Sequence, residues 1–334
     1  MDQVDKQFIV SIFDGTVQRP EYLDFRPPAE YVQGLAINSR EQAIEKGLDE
    51  KDLDSILAIQ TLPPYDVFKD MLENLRAIGK FPDLHGLGVE LGAGLALFSI
   101  ACIEKDVNQK ITGIVALEAV KAFVDKGIQK VGAEILKERS VALLPCYGVF
   151  EKIPVKDETF DFAIQIESLH HAEDLDKAIR EVSRVLRKGA LVVSLDRSWV
   201  NTVNSKTLQG MLDHEYSTEW LKAKKFPHDK RFTRRDNGEH EYRDCDWIST
   251  FERHSFKLVS TVHLHPNIQM WHLMKRVLGI FKLSKVFGIQ VESRKGVLRS
   301  WLDQILKRQP RVHGNLLRSP HPRPFSFFVF EKEH

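Results

Sequence analysis

An apolar run from Leu87 to Leu91 leads directly into Gly92-Ala93-Gly94 and then into a second apolar run from Leu95 to Ile103, an arrangement that few folds accommodate. The first run suits a buried strand and the second continues as a helix, so the glycines fall at a strand-to-helix turn. Gly92 and Gly94 allow positive φ and a close approach of backbone to a bulky ligand. The sixth position of a dinucleotide-binding Gly-x-Gly-x-x-Gly fingerprint is occupied here by Leu97, where a small residue is needed, so a diphosphate fits poorly. Glu90, two residues before the first glycine, places a carboxylate near the turn, which suits a cationic amino-acid group better than phosphates.

The segment Glu90-Leu91-Gly92-Ala93-Gly94-Leu95-Ala96 resembles the first motif of the class I S-adenosylmethionine-dependent methyltransferases, acid-x-Gly-x-Gly-x-Gly, with Ala96 at the third glycine. A second β-branched run, Ile111 to Leu117, ends in Glu118, where an acidic residue of a nucleotide-binding βαβ unit takes the ribose hydroxyls. Phe150 to Pro154 and Asp157 to Phe162 are similar to the stretch that leads into the fourth strand of these enzymes. Leu169-His170-His171, a helix from Asp174 to Leu186, the run Arg184 to Gly189 and a strand from Ala190 to Leu195 complete a resemblance that covers roughly residues 87–197. It implies an α/β fold, a Rossmann-like seven-stranded sheet with helices on both faces and a last strand antiparallel between its neighbours. It also implies S-adenosylmethionine as cofactor, S-adenosylhomocysteine as product, and Glu90, Gly92, Gly94, Glu118, Phe150, Glu151 and Glu167 as cofactor-binding residues. Where many relatives carry an acidic residue for the adenine amino group, this chain has Gly148-Val149, so backbone groups or Glu151 take that role, and a non-catalytic relative is the alternative.

The chain has 334 residues, 43% hydrophobic and 28% charged, enough for a full α/β core and an accessory region. No apolar run approaches the length of a membrane span, and the N-terminus, with Asp2 and Asp5, lacks an export pattern, which suggests the cytoplasm. Cys102, Cys146 and Cys245 have no metal-type spacing and read as small buried residues. Residues 1–84 read as an N-terminal helical cover, broken at Arg26-Pro27-Pro28 and Leu62-Pro63-Pro64 and most periodic from Tyr65 to Ile78. Residues 85–334 read as the methyltransferase domain, with substrate-cap insertions 198–243 and 266–324 after the fifth and sixth strands. Between the insertions lie a helix, Asp246 to Phe256, and a strand, Lys257 to His263; Phe325 to Glu331 supplies the final strand.

The net charge is only +1, yet residues 267–323 hold twelve basic side chains against two acidic ones. Concentrated charge of this kind suits an anionic acceptor, held through arginines such as Arg294 and Arg299. Interleaved Trp271, Phe281 and Phe287 also suit a peripheral contact with an anionic membrane, and RNA is a less favoured partner.

Methyl transfer from a sulfonium needs alignment, and it needs a base only when the acceptor holds its proton tightly, as a hydroxyl does. His170 and His171, just after the fourth strand, and His240, within Asp236 to Arg243, are the candidates for that base. The flanking Glu239 and Glu241 are expected to orient the His240 ring or raise its basicity; a divalent metal at this Glu-His-Glu run is a weaker alternative. The Asp236 to Arg243 stretch is loosely similar to bacterial sugar and glycan methyltransferases. The expected reaction is therefore O-methylation of a sugar or other small anionic or glycan acceptor, with an RNA methyltransferase or a non-catalytic binding protein as alternatives.

Overall fold

The computed structural model describes residues 65–120, 123–128, 141–153, 155–223, 229, 231–264 and 325–334, together with four two-residue strands. In chain order these are β1 (Val17–Gln18), β2 (Leu23–Asp24), α1 (Tyr65–Ala77), β3 (Gly86–Leu91), α2 (Leu97–Glu104), β4 (Ile111–Glu118), β5 (Ala142–Tyr147), β6 (Phe160–Ile166), α3 (Leu175–Val185), β7 (Leu186–Arg197), α4 (Ser205–Leu212), α5 (Thr218–Ala223), α6 (Asp244–Arg253), β8 (Phe256–Leu264), β9 (Arg311–Val312), β10 (Asn315–Leu316) and β11 (Phe325–Lys332). One sheet holds nine of the strands in the order β1-β2-β5-β4-β3-β6-β7-β11-β8. The seven from β5 to β8 are the expected Rossmann-like sheet: β5, β4, β3, β6 and β7 are mutually parallel, and β11 runs antiparallel between β7 and β8.

Burial on both faces explains the apolar reading of the central strands. Leu87, Val89 and Leu91 of β3 join Val115, Val192, Phe328 and Phe330 in one core layer, against Ile179 and Val182 of α3 and Trp247 and Phe251 of α6. On the opposite face Val193, Leu195, Phe327 and Val329 pack with Leu72 and Leu75 of α1 and with Phe98 and Ile100 of α2. Helix α3 shows the sequence logic most plainly: Asp174 caps it by accepting from the Lys177 N–H at 3.1 Å, and Leu175, Ala178, Ile179, Val182 and Val185 form its buried stripe. The chain turns from β3 to β4 on one side and reaches β6 on the other, so the carboxyl ends of β3 and β6 border the crevice where open α/β sheets bind ligands.

Two expectations are corrected. Residues 1–84 are not wholly helical: β1 and β2 pair antiparallel, and β2 extends the sheet by pairing in parallel with Cys146 and Tyr147 of β5, satisfying backbone groups along that edge. Helix α1, from the stretch read as a helical cover, packs Met71, Leu72 and Leu75 into the core beside α2. The strand expected from Ala190 begins at Leu186, which pairs with Phe160; the exposed Arg187, Lys188 and Gly189 follow, with Gly189 at φ 76° and the register shifting before Phe162 meets Leu191. Apart from β9 and β10, the basic stretch 267–323 lies outside the described residues. Among the described residues no helix is long and apolar enough to cross a membrane.

Candidate active site at the carboxyl edge of the sheet

The glycine turn after β3 uses the freedom its sequence offers. Gly92 and Gly94 have φ of 67° and 56°, and Ala96, at the third glycine position, takes φ 56° as well. A Cβ at Gly92 would lie 2.5 Å from the Ser168 Cβ and 3.2 Å from the Phe150 Cζ, so the turn is bordered on both sides with no room for a side chain. Ser168 is fixed there by donating its hydroxyl to the Leu91 carbonyl at 2.6 Å. Across the turn, Glu118 accepts from the Gly94 N–H at 2.6 Å and from the Val120 N–H at 2.8 Å. A fixed acceptor beside a glycine-lined approach fits an adenosyl cofactor.

The other expected cofactor residues are placed less uniformly. Glu90 is not a surface anion at the turn: it is buried and accepts from the N–H of Ser99 in α2 at 3.2 Å and from the Ser99 hydroxyl. Burial pushes its pKa up to about 8 against the opposing Ser99 bonds, so it is neutral at pH 7. Glu151 accepts from the Glu173 N–H at 2.8 Å and so holds the loop before α3, and burial raises its pKa. Glu167, just past the end of β6, sits at φ 48°, an uncommon conformation for a side-chain-bearing residue, and its carboxylate lies 3.5 Å from Arg197 Nε.

The three candidate histidines meet. His170 Nδ1 lies 2.6 Å from Asp196 Oδ1, and its N–H donates to Asp196 Oδ2 at 3.3 Å. The His170 carbonyl in turn accepts from the His240 N–H at 2.8 Å, and the His240 Nδ1 is 3.2 Å from the same oxygen. The His170 and His171 rings are tilted, with centroids 4.3 Å apart. A carbonyl oxygen only accepts, so this contact assigns the ring hydrogen of His240 to Nδ1 and leaves a lone pair on Nε2. His170 is 1% exposed and Asp196 fully buried, whereas His171 and His240 are partly exposed. Burial lowers the His170 pKa, helped by Arg197, and burial raises that of Asp196 to about 7, so the interior disfavours an imidazolium–carboxylate pair. His170 is thus a buried anchor, and His171 and His240 are the partly exposed rings of the three.

Glu239 and Glu241 do not face the His240 ring as expected. Their carboxylates are taken up by a buried network on the other side of the strand-like segment: Glu239 meets Arg197, Tyr216, Asn237 and Arg234, and Glu241 meets Arg234 and the Trp199 indole N–H, the last at 2.5 Å. Alternation along an extended segment puts residues 239 and 241 on one side and 240 on the other. Burial opposes the charges of both guanidiniums, but the glutamates outweigh it and raise both pKa values. Both glutamates are engaged by arginine, and among the described residues no group of three or more His, Cys, Asp or Glu side chains is arranged to hold a metal ion.

Residues 89–194 match a family described as a methyltransferase domain. Residues 89–194 are therefore read as a methyltransferase domain. It is 28% identical over 122 residues to the uncharacterized protein YafE of Escherichia coli, covering 34% of this chain and 57% of that one. It is 29% identical over 139 residues to the ubiquinone/menaquinone biosynthesis C-methyltransferase UbiE of Idiomarina loihiensis, covering 40% and 55%. It is 31% identical over 111 residues to the sarcosine/dimethylglycine N-methyltransferase of Halorhodospira halochloris, covering 33% and 36%. The chain therefore spans between about a third and somewhat over half of the length of these relatives.

Sequence reasoning missed four residues of the methyltransferase domain's carboxyl edge: Ser168, Asp196, Arg197 and Arg234. Asp196 had a signal, since an acidic residue ends an otherwise apolar strand, Leu191 to Leu195, at the edge where ligands bind. Arg197 had none, because its partner Glu239 lies 42 residues away, and Arg234, though only five residues from Glu239, reads in sequence as one more surface charge.

Proposed function

We propose that this protein methylates a hydroxyl oxygen of a small acceptor, a sugar or related glycan being the favoured class, with S-adenosylmethionine as donor. Gly92, Gly94 and Glu118 would hold the cofactor, which supplies an electrophilic methyl group when bound. The observation that carries the choice of oxygen is the contact of His240 Nδ1 with the His170 carbonyl at 3.2 Å: the neutral ring that donates there keeps the Nε2 lone pair, on a partly exposed side chain. A hydroxyl needs such a base to take its proton as the oxygen bonds to carbon, and a neutral amine does not. Two of the named relatives are a C-methyltransferase and an N-methyltransferase, so they support methyl transfer in general and leave the acceptor to the site's own chemistry.

Calorimetric titration with S-adenosylhomocysteine tests the cofactor site. Glu118→Ala is expected to weaken binding by tenfold or more, about 1.4 kcal/mol, as a charged hydrogen-bonding partner is removed. Transfer of labelled methyl from S-adenosylmethionine to a panel of sugars and to matched amines tests the acceptor. His240→Gln should keep cofactor affinity while losing roughly 10²–10⁴ in turnover, the usual share of a general base. Unchanged turnover in that variant, or methylation confined to the amines, rejects the oxygen reading.

A further inference from the structure

The buried ions beside the histidines have no evident role in holding the sheet together. Arg197 leaves the end of β7 and reaches Glu167 at the end of β6 and Glu239 in the 198–243 segment. Arg234 then joins Glu239, with 2.8 Å contacts from Nε and Nη2, to Glu241. Apolar residues of similar volume often stabilise a fold as well as a buried ion pair does, or better; what such pairs best provide is a single arrangement of the groups attached to them. Here the attached group is the backbone of 239–241, whose middle residue is His240.

The constraints converge on that ring. The Glu239 N–H donates to the Arg234 carbonyl at 3.1 Å, closing a turn in which Thr233 donates its hydroxyl to Asp236 at 2.7 Å and Gly238 takes φ 65°. Beyond it, the Trp199 N–H donates to the Tyr242 carbonyl at 3.0 Å, and the Tyr242 ring stacks near His240, with centroids 6.1 Å apart. The glutamates on either side of His240 are therefore plugged into the interior, and only the histidine is turned toward His170. A planar guanidinium serves two carboxylates at once in a fixed fork, a geometry that a lysine ammonium with its rotatable donors does not impose.

We infer that Arg197 and Arg234, through Glu239 and Glu241, are positioning residues that hold the His240 ring on the His170 carbonyl and so fix the tautomer that leaves Nε2 bare. This rests on His240 being the base of the proposed reaction, and it extends that reading to four residues that touch neither acceptor nor cofactor. Glu167 brings the cofactor side of the crevice into the same chain of contacts, since Arg197 bridges it to Glu239.

The test is an imidazole ¹H–¹⁵N spectrum of the full chain with S-adenosylhomocysteine present, which reports the tautomer of His240 without any acceptor. Wild type is expected to show hydrogen on Nδ1. Arg234→Lys should shift the balance toward hydrogen on Nε2 by about tenfold, which corresponds to ~1.4 kcal/mol. Glu241→Gln, which keeps volume and can still accept from Trp199, should shift it in the same direction and carries the test if the lysine variant does not fold. Variants that melt cooperatively and keep the wild-type tautomer overturn the positioning role while leaving the base assignment standing. Hydrogen on Nε2 in the wild type overturns the base assignment, and this inference with it.

Discussion

Gly92→Ala separates two costs that a glycine at a binding turn can hide. The φ of 67° places an L-residue in the left-handed region, at a cost of about 1–2 kcal/mol. The added methyl would also lie 2.5 Å from the Ser168 Cβ, and Ser168 is pinned to the Leu91 carbonyl and to Gln165, so neither side yields easily. Overpacking of this kind costs about 1–3 kcal/mol. Restricting the unfolded chain returns about 0.4–1 kcal/mol, leaving a net loss near 3 kcal/mol. Gly189→Ala is the matched control: its φ is 76°, but nothing lies within 4 Å of its added Cβ, so only the backbone cost applies. Thermal unfolding followed by circular dichroism should lower the melting temperature of Gly92→Ala by roughly 6–12 °C and that of Gly189→Ala by roughly 2–4 °C, at about 2–4 °C per kcal/mol. The Gly92 variant should also bind S-adenosylhomocysteine at least tenfold more weakly, about 1.4 kcal/mol, because the methyl enters the crevice. Equal melting shifts for the two variants, with wild-type binding by the first, would refute the close approach at this turn.

Three further outcomes follow from buried or clasped side chains. Glu90, raised from 4.5 to about 8, binds its proton more tightly folded than unfolded, so its contribution to stability is full below pH 4.5 and is lost as pH rises through 8. Glu90→Gln should therefore flatten the decline in denaturant-measured stability across that window, by up to about 1.4 kcal/mol per pH unit, and an unchanged slope counts against the assignment. Arg184 donates to the Val155 carbonyl at 2.8 Å and the Ile153 carbonyl at 2.7 Å, so Arg184→Lys should lose about 1–3 kcal/mol by urea unfolding; a loss below a few tenths would show that the clasp contributes nothing. Trp247 is fully buried and its indole N–H donates to the Arg197 carbonyl at 3.0 Å. Trp247→Phe should cost about 1–3 kcal/mol by the same measurement, from one unsatisfied carbonyl and a partial cavity, and full stability would mean that the site repacks.

How far the chain could be read depended on the range of the forces involved. The glycine turn, the central strands and helix α3 were legible because each is specified by neighbours a few residues apart: buried alternation, a capping Asp174, a φ that glycine tolerates. The same local rules misplaced the start of β7, since Leu186 joins the sheet by pairing with Phe160, 26 residues earlier. His170, His171 and His240 were identifiable as residue types with suitable chemistry, but not their meeting, which depends on a bond between residues 70 apart. For Glu239 and Glu241 the sequence showed carboxylates beside a histidine, and sequence adjacency misled: extended backbone sends neighbours to opposite sides. For Glu90 the sequence showed a carboxylate near the turn, but not its burial beneath Ser99 of α2.

The place of β11 in the sheet also sets a schedule for synthesis. Strand β8 has no seat of its own beside β7, since β11 lies between them, and β11 is separated from Leu264 by the 60 residues 265–324. At about 5–20 residues per second, a growing chain waits roughly 3–14 s between finishing β8 and finishing the strand that receives it. During that interval the outer edge of β7 and both edges of β8 are open, with Val262 and Leu264 lacking the phenylalanines that later cover them. The nascent protein is therefore exposed to mispairing from the emergence of β8 until β11 follows it. A ribosome-bound chain stopped at residue 324 should be more readily cleaved by protease within β8 than one extended past residue 332 and clear of the exit tunnel.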